Sequence, residues 1–139
     1  MKTLENSEII EKTILFRADL NVPVVDGKIT DYSRIDSIIP SLKKLTERKN
    51  KIFIIAHFGR PNGSVVKTLS LSFLCEELRK KLNFSKIHFL NTINDKAVKI
   101  KQSQMDYGEI CLLENIRFYK EEEENILDFS KTLSSNFEI

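Results

Sequence analysis

Cysteine, histidine and net charge are all scarce in this chain, and each shortage removes a class of function. Two cysteines occur in 139 residues, Cys75 and Cys111, far apart and each inside an apolar pattern. With no second cysteine or histidine at metal-ligand spacing they read as buried, reduced thiols. His57 and His88 are the only histidines, which leaves zinc without a ligand set. Lysine plus arginine number 22 against 20 acidic residues, a formal net charge of +2. That balance gives no bulk electrostatic reason to expect nucleic acid or an anionic membrane as partner, so an anion site has to be local. No apolar run approaches the roughly 18 residues of a membrane span, and Met1 to Ile10 is charged and polar where a secretory leader would be apolar. The expectation is a cytoplasmic chain. Neither G-x-G-x-x-G nor G-x-x-x-x-G-K-[ST] is present, so the usual dinucleotide and nucleotide-phosphate loops are missing. No Ser/His/Asp or Cys/His set suggests a nucleophile. Internal repeats, low-complexity linkers and a second domain are also absent from the pattern.

What the chain does have is alternation. Short apolar runs at ILF from Ile14, KIFIIA from Lys51, KIHFL from Lys86 and EICLL from Glu109 have the length and composition of strands buried on both faces. Between the first two, Ile35, Ile38, Ile39, Leu42 and Leu45 form one helical stripe opposite Lys43, Lys44, Glu47 and Arg48, with a bend expected near Pro40. Between the second and third, SLSFLCEELRKKL repeats the pattern through Leu71, Leu74, Cys75, Leu78 and Leu82, with Ser70 the expected N-cap. A weaker helix through Ile93, Ala97, Val98 and Ile100 fills the third interval. Glu121 to Asn125 reads as the acidic start of a further helix carrying Ile126, Phe129 and Leu133. The order β, α, β, α, β, α, β predicts an α/β fold, a three-layer αβα parallel sheet of Rossmann-like type. At 139 residues it is one domain's worth, able to bury roughly 68–70% of its unfolded surface if the fold is complete.

Ligands of open parallel sheets bind where the strands end. The first run leaves through RADLN, with Arg17, Asp19 and Asn21. The second leaves through HFGRPNG, with His57 and Arg60, and the fourth through ENIRF, with Glu114, Asn115 and Arg117. Arg34, at the start of the first helix, can project near the same edge. Gly59, Pro61 and Gly63 are accounted for by turn chemistry; the arginines are not. Each polar residue alone could be structural: Asp19 bracing the VPVVDG turn, His57 a satisfied core histidine, the arginines paired with surface acids. Together they suit a small ligand with anionic groups and a hydroxyl, because the planar guanidinium matches carboxylate and phosphate. They form an anion receptor and not a self-contained catalyst.

Four separated stretches, RADLNVPVVDGKITDYSRI, AHFGRPNG, SLSFLCEELRKKL and GEICLLENIRFYKEEEEN, in this order and at these intervals, resemble the amino-terminal domain of phosphoglycerate kinase. The resemblance covers most of Phe16 to Asn125; Leu20 and Phe58 stand where the family more often has Phe and Leu. It implies a partial phosphoglycerate-binding domain over 1–139, with the carboxyl-terminal nucleotide domain absent. It also implies glycolytic phosphoryl transfer between ATP and 3-phosphoglycerate, with Mg²⁺, in the full-length enzyme. By resemblance Asp19 and Asn21 contact the hydroxyl and carboxyl end of the substrate. Arg34 sits beside the reacting carboxylate and stabilises the transferring phosphoryl group, and His57, Arg60 and Arg117 hold the 3-phosphate. ATP and Mg²⁺ are not expected to bind this chain strongly, and kinase activity is not expected of it alone. A separate chain supplying the nucleotide half would be one partner. A non-enzymatic remnant or interaction module with an idle anion site is the alternative reading. Because the family's first strand is internal to its sheet, the ILFRA edge is expected to be unpaired and apolar here, a route to self-association.

Overall fold

A computed structural model of the chain describes residues 8–59, 67–84, 86–118 and 134–139, apart from the side chain of Arg117. The expected helix opening at Glu121 and the residue Arg60 lie outside the described residues.

Four strands form a parallel sheet: β1 (Thr13–Arg17), β4 (Lys51–Ile55), β5 (Ile87–Leu90) and β6 (Ile110–Leu113), in the order β1-β4-β6-β5. Helix α1 (Ser33–Glu47) joins β1 to β4, α2 (Leu74–Leu82) joins β4 to β5, and α3 (Asp95–Gln104) joins β5 to β6. A small hairpin, β2 (Val24–Val25) with β3 (Lys28–Ile29), precedes α1. Its turn is Asp26-Gly27, both at positive φ, 52° and 75°, the backbone that a two-residue hairpin turn requires.

Strand alternation divides the apolar side chains between two layers. Ile52 and Ile54 of β4, with Ile110 and Leu112 of β6, face a core completed by the predicted stripe of α1 and by Leu74, Cys75, Leu78 and Leu82 of α2. Phe53 and Ile55, with Cys111 and Leu113, face the other way against Ile93, Val98 and Met105. Helices therefore cover both faces of the sheet. Both β4 and β6 are buried along almost their whole length, as two-sided burial predicts, whereas β1 and β5, the outer strands, are only partly buried. Pro40 lies inside α1, which runs on for a further seven residues to Glu47. No helix among the described residues is long and apolar enough to cross a membrane.

Three expectations need correction. Ser70 does not cap α2: the helix begins at Leu74 after Phe73, which makes no side-chain cap, and the Ser70 hydroxyl instead donates to Glu114 at 2.7 Å. As acceptor the same oxygen takes the Ser72 N–H at 3.3 Å, a bond in the turn ahead of the helix, which begins only at Leu74. Ile100 points away from the core, 58% exposed, so the third helix buries only Val98, while Ile93 is buried just before it. The outer edge of β1 is occupied at its start. Glu138 N–H donates to Thr13 O at 3.0 Å, and Leu15 N–H donates to Ile139 O at 2.9 Å. Phe137 packs edge-on to Phe53, with ring centroids 5.3 Å apart. Self-association through an open ILFRA edge loses that part of its basis.

Candidate functional site

Parallel strands deliver their carboxyl ends to one edge of the sheet, and hydrogen bonds keep the departing chains in step there. Ala18 N–H donates to Ile55 O at 3.0 Å, and Ile116 N–H donates to Ala56 O at 3.1 Å. The exits of β1, β4 and β6 thus lie side by side. After β1, the Asp19 carboxylate turns the chain by accepting the Asn21 N–H at 3.2 Å. Asn21 then reaches the neighbouring exit, where its Oδ1 accepts the Gly59 N–H at 3.0 Å. Gly59 has φ +63°, a backbone that favours glycine, and a β-carbon there would meet Leu69 Cδ2 at 2.7 Å and push that side-chain end aside.

Arg34 comes to the same place from the first turn of α1. Its Nε lies 3.5 Å from Asp19 Oδ2, and its Nη1 donates to the Asn21 carbonyl. The start of the helix is shaped by Asp31, whose Oδ1 accepts the Ser33 N–H at 2.8 Å. Hydrogen bonds from the Ser33 backbone and side chain, aided by the charge of Arg34, hold the Asp31 carboxyl below its ordinary range. Asn21, Val22, Pro23, Asp31, Ser33 and Arg34 line an open depression of about 440 Å³.

At the third exit the polar residues are buried. The Glu114 carboxylate accepts from Ser70 Oγ, from Leu71 N–H at 3.0 Å and from Asn115 N–H at 2.8 Å. Asn115 exchanges two hydrogen bonds with Phe58: Phe58 N–H to Oδ1 at 3.3 Å, and Nδ2 to Phe58 O at 2.7 Å. These two residues hold loops together from inside, through partners that lie in other strand exits.

Of the six residues expected at the site, Asp19, Asn21 and Arg34 are brought into one cluster. His57, partly buried, directly precedes the held pair Phe58–Gly59. The backbone of Arg117 lies in a single 3-10 turn, Ile116–Phe118, and its side chain is outside the described residues, as is the whole of Arg60. Leu20 and Phe58, which stand where the resembled family more often has Phe and Leu, are both buried.

A family model described as phosphoglycerate kinase matches residues 4–139. The chain belongs to the phosphoglycerate kinase family. It is 41% identical to the phosphoglycerate kinase of Rhizobium johnstonii over 139 residues, covering 99% of this chain and 34% of that protein. To the phosphoglycerate kinase of Wolbachia pipientis it is 42% identical over 133 residues, covering 96% and 33%. Among solved structures, the phosphoglycerate kinase of Coxiella burnetii superposes with a TM-score of 0.78 at 33% identity, covering 94% of this chain and 32% of that one. The phosphoglycerate kinase of Pyrococcus horikoshii superposes at 0.82 with 28% identity, covering 99% and 35%. The chain spans about a third of the length of the curated relatives that it matches. Its sheet of parallel strands between helices is that of a phosphoglycerate kinase domain. Full-length phosphoglycerate kinases use ATP and Mg²⁺; among the described residues here no group of three His, Cys, Asp or Glu could hold a metal ion.

Proposed function

We propose that residues 1–139 form a partial phosphoglycerate-binding domain whose strand-exit edge receives 3-phosphoglycerate. One observation carries the reading: Asn21 and Arg34 line an open depression beside the strand exits, Asp19 is held against both, and Asn21 ties that cluster to the loop that begins at His57. Asp19 and Asn21 take the hydroxyl and carboxyl end of the ligand. Arg34 offers its guanidinium fork to the carboxylate, while His57, Arg60 and Arg117 take the 3-phosphate. In phosphoryl transfer Arg34 is the residue that would stabilise charge on the group in motion.

Phosphoryl transfer is positioning plus electrostatic stabilisation between two substrates. Residues 1–139 offer the acceptor side of that reaction, so taken alone they bind 3-phosphoglycerate and do not turn it over; the nucleotide side is supplied by polypeptide outside them. The glycolytic reading places its work in the cytoplasm. Calorimetric titration with 3-phosphoglycerate and with glycerate, which lacks the phosphate, tests the proposal. Saturable binding of the first, much weaker binding of the second and loss of both in Arg34→Ala are expected. Equal, unsaturable responses to both ligands would leave only an ancestral anion site.

A further inference from the structure

Two buried asparagines stand at opposite ends of the sheet, and the side-chain amide of each both accepts from and donates to the backbone. Asn50, directly before β4, is 0% exposed; it accepts from Lys12 N–H at 2.9 Å and donates to Ile9 O at 3.0 Å and Leu45 O at 2.9 Å. Asn115, directly after β6, is also 0% exposed. It accepts from Phe58 N–H at 3.3 Å and donates to Phe58 O at 2.7 Å and Leu69 O at 2.9 Å. Both are satisfied as a buried amide must be, so burial alone does not separate them. Their partners do. Asn50 ties the entry to the sheet, whereas Asn115 holds the loop that leaves β4 at the proposed ligand edge.

The geometry points to Asn115 as the positioning residue of that edge, the side chain that fixes the conformation of His57–Gly59. By engaging both the N–H and the C=O of Phe58, its amide acts as one more strand partner and carries the order of β4 beyond the last ladder pair. Peptide planes on both sides of Phe58 are then set, and His57 and Gly59 are its neighbours. The next N–H, that of Gly59, goes to Asn21 Oδ1 at 3.0 Å. Two asparagines from two other strand exits thus hold successive amides of one loop. The third bond of Asn115 fixes Leu69, whose side chain fills the space beside Gly59. Asn115 is itself held through its N–H by Glu114, which also fixes Ser70 and Leu71. No contact of Asn115 with ligand is required: it acts through His57 and the loop amides. Its effect on affinity rests on the reading above that this edge takes 3-phosphoglycerate; its effect on the loop does not.

The test compares wild-type residues 1–139, Asn115→Ala and Asn50→Ala, all ¹⁵N-labelled. Amide hydrogen exchange is measured first without ligand. In Asn115→Ala the Phe58 and Gly59 amides are expected to exchange about tenfold faster or more, the scale of a lost hydrogen bond. The amides of Ile52–Ile55 and Ile110–Leu113 keep their protection relative to global stability. Asn50→Ala lowers stability but leaves Phe58 and Gly59 in line with the rest of the sheet. With 3-phosphoglycerate added, Kd rises about tenfold in Asn115→Ala and by less than about twofold in Asn50→Ala. Unchanged exchange at Phe58 and Gly59, or the same pattern in both variants, would overturn the positioning role. If Asn115→Ala does not fold, wild type decides through scalar couplings across the hydrogen bonds, from Phe58 ¹⁵N to Asn115 ¹³Cγ and from Gly59 ¹⁵N to Asn21 ¹³Cγ. Both are expected, and absence of the first overturns the inference. A wild type that ignores 3-phosphoglycerate while showing the predicted exchange pattern would refute the ligand and leave the positioning role standing.

Discussion

The side-chain oxygen of Asn21 and the backbone N–H of Gly59 are 3.0 Å apart, so the first strand's exit dictates where the second strand's exit can turn. Asn21 also gives its carbonyl to Arg34. One residue therefore sets the loop that follows His57 and the approach of the arginine. Asn21→Ala should cost about 1 kcal/mol of stability through the lost hydrogen bond and should weaken 3-phosphoglycerate by more than that alone implies. Urea unfolding and ligand titration on one preparation would check the pair of effects; equal losses in both would make Asn21 a structural residue only.

Gly59→Ala tests the turn directly. Alanine at φ +63° is strained by roughly 1–2 kcal/mol, and Leu69 must also move aside. Denaturation should show that loss, and the Phe58 and Leu69 resonances should shift most. Unaltered stability would mean that the loop relaxes freely and is not fixed by its neighbours.

Arg34 should behave in the opposite sense. Its pair with Asp19 is open to water, the side chains 47% and 62% exposed, and such pairs contribute only about 0–1 kcal/mol. Arg34→Ala is expected to leave the melting curve nearly unchanged while abolishing measurable 3-phosphoglycerate binding. Arg34→Lys should recover little, since an ammonium cannot reproduce the planar fork. A strongly destabilised Arg34→Ala would assign the arginine to the scaffold.

Much of this arrangement was legible in the order of residues, and what was not has a common cause. The apolar runs KIFII and ICLL became the two inner strands because no polar side chain interrupts them, and RADLN placed Asp19 and Asn21 at an exit by position alone. Asn115 could be placed at the edge but its task could not, because its partners, Phe58 and Leu69, belong to a different exit. Ser70 misled for the same reason: its partner, Glu114, is brought close only by the sheet. The occupied edge of β1 depends on Glu138 and Ile139 meeting Thr13 and Leu15 across nearly the whole chain. Local pattern specifies elements; long-range hydrogen bonds decide what the polar residues between them do.

A second polar pair, at the other end of the sheet, predicts a pH dependence. Burial pushes the Glu109 carboxyl up, but the hydrogen bond with His88 Nε2 at 2.7 Å, a backbone hydrogen bond from Asp106 and attraction from His88 and Lys86 together leave it below its ordinary value. A carboxyl with a lowered folded pKa stabilises the fold above its unfolded pKa, about 4.3, and that contribution is lost as pH falls through the folded value. Glu109→Gln should therefore destabilise the fold at neutral pH. In urea titrations the gap to wild type should close on acidification below that range. A gap independent of pH would contradict the pairing.

The thiols provide a check on the core. Burial pushes Cys75 up to about 11 and Cys111 up to about 12, against an ordinary value of about 8.5. At pH 8 their thiolate fractions fall to about one in a thousand and one in ten thousand. Alkylation of the folded chain should be slower than that of the urea-unfolded chain by about a hundredfold or more. Rapid native labelling of either cysteine would mean that the helix and strand carrying it are not packed as described.

Whether the strand-exit edge binds 3-phosphoglycerate is decided by a ¹H–¹⁵N titration of residues 1–139 with that ligand, beside Arg60→Ala as control. Dispersed resonances should move saturably at Asn21, Arg34, His57 and Gly59 in the wild type and stay fixed in the variant. Dispersed resonances that stay fixed at millimolar ligand, or that move equally in both proteins, would contradict binding at that edge.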